Sequence, residues 1–231
     1  MKAVILAAGR GKRMGELTRY LPKPLLSINN RPFLFYNLKN LIGCGYNDIG
    51  IVVGYQKERI EEFLAENKFN ATLIDQGEPK GTGHAVKCAK EFCKDNNFLV
   101  LNGDNYYDID VIKKMSLFQG SNAICGVIHE SPERFGVLLE RDGFLERIAE
   151  KPKTYFGNLI NIGLYKFTAE IFDALDKIKL SERGEYELTD ALSILAQQQK
   201  VRVIKSNFPW FDLGSPEDIP LIEEFFKQKK I

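Results

Sequence analysis

Charged and glycine-rich residues gather in a short segment directly after the first apolar run of the chain. The run at residues 4–8 leads into Gly9, Gly11 and Arg13, and Lys23 follows between two prolines. A glycine-bearing loop at a strand end lets backbone N–H groups approach phosphate oxygens, and the Arg and Lys side chains add positive charge. The segment therefore predicts binding of a nucleoside triphosphate.

Two other phosphate-binding loops do not fit this segment. Gly9, Gly11 and Gly15 are spaced G-x-G-x-x-x-G, whereas the dinucleotide-binding loop is G-x-G-x-x-G. Gly11 and Lys12 are followed by Arg13, where a Walker loop needs Ser or Thr. Neither a dinucleotide-dependent dehydrogenase nor a P-loop enzyme is therefore predicted.

A second group of polar residues follows a later apolar run. Gln76, Gly81 and Thr82 belong to a glycine-rich stretch that ends at His84. A primary amide pairs a donor with an acceptor and can match the edge of a pyrimidine, and glycine leaves the backbone close to the base. This stretch predicts base recognition.

The apolar run at residues 98–101 ends in Asn102, Gly103 and Asp104. Ligands of open parallel sheets bind at the carboxyl ends of the strands, so these residues should lie beside the triphosphate. A carboxylate in that place suits Mg²⁺, which takes oxygen ligands. We therefore predict Mg²⁺ as the cofactor.

Apolar runs and helical patterns alternate along the chain. The predicted strands are 2–7, 49–53, 71–75, 98–102, 122–128, 136–140, 144–149, 158–167 and 201–205. The predicted helices are 32–42, 57–66, 83–94, 169–176, 187–199 and one with Ser215 as its N-cap. This order predicts an α/β fold, a Rossmann-like mixed and mainly parallel sheet flanked by helices, in a single domain of residues 1–231.

Composition excludes several classes of protein. The net charge is +1 with no basic stripe, so no nucleic-acid partner is predicted. No stretch approaches the roughly 20 apolar residues needed to cross a bilayer, and no secretory leader is recognised, so we expect no membrane partner and a cytoplasmic location. The four cysteines are too scattered for a disulfide scaffold and are expected to be reduced thiols.

Three ordered blocks carry a resemblance to a known family. Leu6-Ala7-Ala8-Gly9, the Gly11-x-Arg13-Met14 segment and Pro22-Lys23-Pro24 resemble the sugar-1-phosphate nucleotidylyltransferases, also called nucleotide-sugar pyrophosphorylases. The resemblance implies that Arg13 binds the triphosphate and that Lys23 stabilises charge near the reacting phosphorus. It implies nucleotide contacts from Leu6, Ala7, Ala8, Gly9, Gly11, Gln76, Gly81, Thr82, Asn102 and Gly103.

The second half of the chain resembles the acceptor side of the same family. Gly136, Glu150 and Asn161 match the residues that hold the pyranose, and Lys151 matches the catalytic cation that binds the 1-phosphate. Asp104 matches a metal ligand, and Asp212 is the second ligand because its segment is similar to a late Asp-x-Gly-Thr-Pro motif. Residues 1–120 would then form the nucleotide-binding half and residues 121–231 the sugar-phosphate-binding half.

The resemblance implies a nucleotide-diphospho-sugar transferase fold and a defined reaction. A pyrimidine nucleoside triphosphate, UTP or dTTP, would condense with glucose 1-phosphate or N-acetylglucosamine 1-phosphate to give a nucleotide sugar and pyrophosphate. No hexapeptide repeat follows residue 218, so no β-helix extension is expected. The sequence shows no apolar stripe typical of a subunit interface, and the oligomeric state is left open, with a homo-oligomer as one alternative.

Other functions remain open from the residues alone. A CTP-dependent cytidylyltransferase is the nearest alternative base choice. Asp108 and Asp110 have the Asp-x-Asp form used by GT-A-type glycosyltransferases, although Asp108 is better placed to cap the helix that follows. A degenerate domain kept as a regulatory subunit is the alternative outside enzymes, and the intact Arg13, Lys23 and two carboxylates speak against it.

Overall fold

The computed structural model describes residues 1–229 and residue 231. Its strands are β1 Lys2–Leu6, β2 Ser27–Ile28, β3 Arg31–Pro32, β4 Asp48–Val53, β5 Thr72–Asp75, β6 Phe98–Asn102, β7 Asn105–Tyr107, β8 Asn122–Ile128, β9 Gly136–Arg141, β10 Phe144–Glu150, β11 Leu159–Phe167, β12 Val201–Lys205 and β13 Trp210–Asp212. Its α-helices are α1 Phe33–Gly43, α2 Lys57–Glu66, α3 Thr82–Cys88, α4 Lys90–Cys93, α5 Ile109–Leu117, α6 Glu170–Leu175, α7 Leu188–Ala196 and α8 Asp218–Lys229. Short 3₁₀ helices span Lys12–Thr18, Lys23–Leu25 and Pro132–Arg134.

Nine strands form one sheet, in the order β5-β4-β1-β6-β11-β8-β12-β10-β9. β5, β4, β1 and β6 run parallel, and β11 lies antiparallel between β6 and β8. β12 is parallel to β8, and β10 and β9 add antiparallel strands at the edge. The α/β class and the mixed sheet predicted from the sequence are thereby confirmed, and no β-helix occurs among the described residues.

The core lies on both faces of the sheet because side chains alternate along each strand. Val4 of β1 faces one side and packs with residues of α3, α6 and α7. Its neighbours Ala3 and Ile5 face the other side, with residues of α1, α2 and α5. Burial on both faces explains why the central strands read as continuous apolar runs.

Strands β7 and β13 form a small antiparallel sheet that the sequence did not predict. Aromatic side chains cover it: Tyr106 of β7 lies 4.7 Å from Phe226 of α8, and Phe211 of β13 packs on Phe225 at 4.8 Å, ring centre to ring centre. These contacts fix α8 beside the main sheet. They also bring the chain around residue 212 back to the end of β6.

Several local predictions are confirmed and others need correction. Asp108 caps α5, since its Oδ1 accepts a hydrogen bond from the N–H of Asp110 (2.9 Å). The predicted helix 83–94 is two helices, because the chain leaves helical geometry at Ala89 (φ −82°, ψ 2°). The last helix begins at Asp218 rather than directly after Ser215, and the Asp218 carboxylate accepts a hydrogen bond from the Ser215 N–H (2.6 Å).

The four cysteines are all free thiols. Among the described residues, no helix combines the length and the apolar character that a bilayer crossing requires.

Tyr107 ties β6 to β11 in the interior. Its fully buried hydroxyl lies 2.9 and 2.8 Å from the carbonyl oxygens of Ile162 and Gly163, and it accepts a hydrogen bond from the N–H of Asn102 (3.3 Å). The replacement Tyr107→Phe leaves these buried groups without their partner. We expect it to lower the free energy of unfolding by about 1 to 3 kcal/mol, measured by urea denaturation.

Tyr155 provides the matched control, because its side chain is 82% exposed. We expect Tyr155→Phe to change the free energy of unfolding by less than about 0.5 kcal/mol. Equal effects of the two substitutions would show that the Tyr107 hydroxyl does not join the strands.

Candidate active site

A cleft of about 760 Å³ opens at the carboxyl ends of β1, β5 and β6. It is lined by most of the residues predicted to act on the nucleotide, namely Leu6, Ala7, Ala8, Gly9, Gly11, Arg13, Lys23, Gln76, Gly81, Thr82 and Asn102, and by the predicted metal ligand Asp104. We call it the large cleft. The predicted nucleotide residues therefore come together, as expected for an open parallel sheet.

A smaller cleft of about 210 Å³ lies beside it, and we call it the small cleft. It is lined by the predicted acceptor-side residues Gly136, Glu150, Lys151 and Asn161 and by Asp212. Six residues line both clefts: Arg13, Thr82, Asn102, Asp104, Arg183 and Glu185. Groups bound in the two clefts would meet where Arg13 and Asp104 lie.

Gly103 is the predicted nucleotide residue that lines neither cleft. Its N–H donates a hydrogen bond to the carbonyl oxygen of Leu6 (2.8 Å), and a Cβ at this position would lie 2.8 Å from the same oxygen. Gly103 therefore allows the ends of β1 and β6 to approach each other. In this structure it positions the strand ends that form the cleft but does not line the cleft itself.

Gly11 shapes the loop that follows β1. Its φ of +61° is in the left-handed region, and a Cβ there would lie 3.0 Å from the Cβ of Lys23. The Thr18 hydroxyl donates a hydrogen bond to the Gly11 carbonyl oxygen (3.0 Å). The loop is thus bound to the 3₁₀ helix Lys12–Thr18 and lies close to Lys23.

Lys23 forms an ion pair with Asp104 at the junction of the clefts. The distance from Lys23 Nζ to Asp104 Oδ2 is 2.8 Å, and only 7% of the Lys23 side chain is exposed. With its amide oriented to satisfy both neighbours, Asn105 donates to Asp104 Oδ1 (3.0 Å) and accepts from Trp210 Nε1 (2.9 Å). Both oxygens of Asp104 are therefore held in a defined orientation.

Asp212 reaches the same point from β13, where it pairs with Asn105 of β7. Burial and the nearby negative charge of Asp104 raise the pKa of Asp212 to about 6, although Lys23 and Arg13 act in the opposite direction. Two carboxylates that disfavour each other's charge are a good fit for a divalent cation, whose charge would relieve the repulsion.

Two carboxylates are a donor set that a hard divalent cation such as Mg²⁺ could use. No group of three or more His, Cys, Asp or Glu side chains surrounds a common point in the part of the chain that the structure describes. Mg²⁺ commonly takes one or two carboxylates and completes its coordination with substrate phosphates and water. Asp104 and Asp212 are the residues that would hold it.

The predicted base-binding loop is joined to Tyr186 by two backbone hydrogen bonds. The Tyr186 N–H donates to the Lys80 carbonyl oxygen, and the Gly83 N–H donates to the Tyr186 carbonyl oxygen, both at 2.8 Å. Gly81 lies between them with a φ of +97°, and a Cβ there would lie 2.6 Å from the Tyr186 carbonyl oxygen. Only glycine fits without moving the backbone.

We expect Gly81→Ala to lower the free energy of unfolding by about 1 to 3 kcal/mol and to raise KM for the nucleotide. Both effects follow from the clash with the Tyr186 carbonyl, which would displace the loop from the cleft. Gly77→Ala is the matched control, since φ is +64° but no atom lies within 4 Å of an added Cβ. If both variants show the same KM, close packing at Gly81 does not position the loop.

The acceptor side is built on β9, β10 and the bulged strand β11. Gly136 pairs with Glu150, and a Cβ at Gly136 would lie 3.0 Å from Glu150 Oε2. Asn161 donates from Nδ2 to the Tyr165 hydroxyl (2.7 Å) and accepts at Oδ1 from the Gly163 N–H (3.0 Å). One amide hydrogen and one lone pair of Asn161 remain for a ligand.

Glu150 lies in a group of charges around Arg183. The guanidinium nitrogens of Arg183 are 3.8 Å from Glu150, 3.6 Å from Glu185 and 3.5 Å from Glu187. The pKa of Glu150 is raised, mainly because its carboxyl is buried. The positive charges of Lys151 and Arg183 lower this pKa, and the negative charges of Glu187 and Glu185 raise it. Lys151 is exposed at the rim, with an unusual left-handed φ of +44°.

The polar residues of the small cleft that were not predicted from the sequence include Asn105, Tyr165 and Trp210. The position of Asn105 directly after Asp104 is a signal that could have found it. Trp210 acts through Asn105, which is distant in sequence, and gives no local signal. Tyr165 meets Asn161 within the bulged strand β11, and an irregular strand pairing of this kind is not visible in the sequence. Asp108 and Asp110 line neither cleft, in keeping with a capping role.

Comparisons with known proteins identify the family of the chain. The family model described as "Nucleotidyl transferase" matches residues 2–229. The chain is 39% identical to the bifunctional protein GlmU of Methanocaldococcus jannaschii over 95% of this chain and 52% of that protein. It is 38% identical to a bifunctional sugar-1-phosphate nucleotidylyltransferase/acetyltransferase of Sulfurisphaera tokodaii over 95% of this chain and 54% of that protein.

A solved structure of a UDP-glucose pyrophosphorylase complexed with UDP-glucose superposes with a TM-score of 0.88 at 25% identity, covering 99% of this chain and 98% of that one. The chain spans about half the length of the curated relatives it matches. The match of the family model over nearly all of the sequence decides the assignment. The chain belongs to the nucleotidyl transferase family, as a relative of the sugar-1-phosphate nucleotidylyltransferases that its motifs predicted.

Proposed function

We propose that the protein condenses a pyrimidine nucleoside triphosphate with a sugar 1-phosphate to give a nucleotide sugar and pyrophosphate. The observation that carries this proposal is the ion pair between the buried Lys23 and Asp104, with Asp212 beside it, at the junction of the two clefts. A cation and two carboxylates at that junction suit a reaction in which one bound phosphate attacks another.

The reaction needs positioning and charge stabilisation more than a protein nucleophile. An oxygen of the sugar 1-phosphate attacks the α-phosphorus, a new O–P bond forms, and the bond to the β-phosphate oxygen breaks. The attacking phosphate is already ionised, so no general base is required. The pyrophosphate leaves with the electron pair of the broken bond.

Different residues of this chain bind the phosphates and the sugar of the two substrates. Arg13 withdraws charge from the leaving pyrophosphate, and Lys23 and Lys151 hold the two reacting phosphates together. The Glu150 carboxylate accepts hydrogen bonds from the sugar hydroxyls, and Asn161 both donates to them and accepts from them. Asp104 and Asp212 would hold Mg²⁺, which would supply positive charge near the phosphate oxygens.

The substrates proposed are UTP or dTTP with glucose 1-phosphate or N-acetylglucosamine 1-phosphate. The amide of Gln76 in the large cleft supports a pyrimidine, and the solved relative bound to UDP-glucose supports uridine and glucose. A methyl group separates uracil from thymine and is worth only about 1 to 3 kcal/mol of discrimination, so both should react. We also propose a cytoplasmic location, where these substrates are made.

A pyrophosphate-release screen tests the proposal. ATP, GTP, CTP, UTP and dTTP are each incubated with a panel of sugar 1-phosphates, with Mg²⁺ and with EDTA. We expect release with UTP or dTTP that requires both a sugar 1-phosphate and Mg²⁺. Release from purine nucleotides alone, or turnover only of a supplied nucleotide sugar as in a glycosyltransferase, would refute the proposal.

A further inference from the structure

The side-chain amide of Gln76 is held in one orientation in the large cleft. The side chain is almost fully buried, with 7% of the residue exposed. Its Nε2 lies 3.1 Å from the carbonyl oxygen of Gly81 and 3.1 Å from Nδ1 of His84. A carbonyl oxygen can only accept a hydrogen bond, so the nitrogen of the amide must face Gly81.

His84 must then accept the second hydrogen of that amide nitrogen. A histidine accepts at Nδ1 only when it is neutral and carries its proton on Nε2, which here faces the Cys88 sulfur at 3.7 Å. Burial, followed by the charges of Lys80 and Lys87, lowers the pKa of His84 and favours the neutral form. Nδ1 of His84 therefore acts as an acceptor toward Gln76, while the N–H of Nε2 faces Cys88.

Both amide hydrogens of Gln76 are used by these two partners. The group of the amide that remains for a ligand in the cleft is the oxygen Oε1, an acceptor. Uracil and thymine present an N–H donor at position 3 of the ring, whereas cytosine presents an unprotonated acceptor there. An acceptor facing an acceptor leaves two buried groups unpaired and is disfavoured.

We propose that His84 is a positioning residue that fixes the Gln76 amide with its oxygen toward the base, and thereby selects uracil or thymine over cytosine. This inference rests on the proposed use of a pyrimidine nucleoside triphosphate. His84 lines neither cleft and acts through Gln76. The carbonyl of Gly81 is the second anchor, and the backbone bonds to Tyr186 hold its loop in place.

The test compares kcat/KM for UTP with kcat/KM for CTP in purified variants. Loss of one hydrogen bond in His84→Phe should lower the UTP:CTP ratio roughly three- to tenfold, mainly through a higher KM for UTP. In His84→Gln the side-chain oxygen can accept from Gln76, so most of the ratio should return. Cys88→Ala removes the contact on the other side of the imidazole and should leave the ratio unchanged.

The outcomes separate this inference from the proposed function. No turnover of UTP, dTTP or CTP by the unmodified protein refutes the proposed function. Turnover with an unchanged ratio in His84→Phe, an equal loss for both nucleotides, or a preference of the unmodified protein for CTP overturns the role of His84. If circular dichroism shows that His84→Phe is unfolded, His84→Ala replaces it with the same expected fall.

Discussion

Replacing Lys23 by Met is expected to reduce kcat by about 100- to 1,000-fold while the protein stays folded. The Met side chain fills the buried volume of Lys23 but lacks the ammonium that lies 2.8 Å from Asp104. In the proposed reaction this charge stabilises the α-phosphate as it is attacked, so the loss should appear in kcat more than in KM.

The fold should survive because Asp104 keeps other partners. Its side chain is 36% exposed, and Asn105 still donates to its Oδ1. Steady-state kinetics with circular dichroism measure both effects. Lys200→Met is the matched control, since Lys200 forms an exposed ion pair with Glu170 (2.7 Å) and should keep full activity. Near-normal turnover of the Lys23 variant would remove Lys23 from the mechanism.

Replacing Asp212 by Asn is expected to abolish most activity and yet to stabilise the protein above about pH 6 in metal-free buffer. Burial and Asp104 raise the pKa of Asp212 from its ordinary 3.8 to about 6. Between these values the folded state binds the proton more tightly than the unfolded state, so the carboxyl makes the free energy of unfolding fall as the pH rises. Above about pH 6 the ionised Asp212 lowers the free energy of unfolding by its full amount. An Asn side chain does not ionise and avoids this loss of stability.

The expected gain in the free energy of unfolding is about 1 to 2 kcal/mol. This is less than the full pKa shift of Asp212 would give, because water screens part of its side chain. It should vanish below about pH 4, where the carboxyl is protonated in both states. Urea denaturation in EDTA at pH 4 and pH 8 measures it. Asp173→Asn, at an exposed site, is the control and should change the free energy by less than about 0.5 kcal/mol. Lower stability of the Asp212 variant at pH 8 would contradict the repulsion between the two carboxylates.

The sequence was most informative where the signal is local. Helix α2 was predicted with the bounds found, because Ile60, Phe63 and Leu64 form one apolar face. The two strands that form the hairpin of β9 and β10 were also predicted, and Asp142 and Gly143 between them take the left-handed conformations of a tight turn. Both features depend on a few neighbouring residues and need no tertiary contact.

The arrangement of the site was less predictable because it depends on contacts between distant segments. β7 and β13 have three residues each and pair across about 100 residues of chain, so no periodicity reveals them. Without that pair, the residues alone gave no reason to place Asp212 beside Asp104; only the resemblance to a family did. The amide orientation of Gln76 likewise follows from His84 and from a loop held by Tyr186, which a linear motif does not show.

The central claim is that a sugar 1-phosphate attacks the α-phosphorus of the nucleotide at the junction of the two clefts. It is tested most directly with UTP labelled by ³²P at the α-phosphate, incubated with glucose 1-phosphate and N-acetylglucosamine 1-phosphate in the presence of Mg²⁺. We predict that the label enters a nucleotide sugar and that one pyrophosphate is released for each molecule formed. Label that remains in UTP, or pyrophosphate released at the same rate without any sugar 1-phosphate, would contradict the claim.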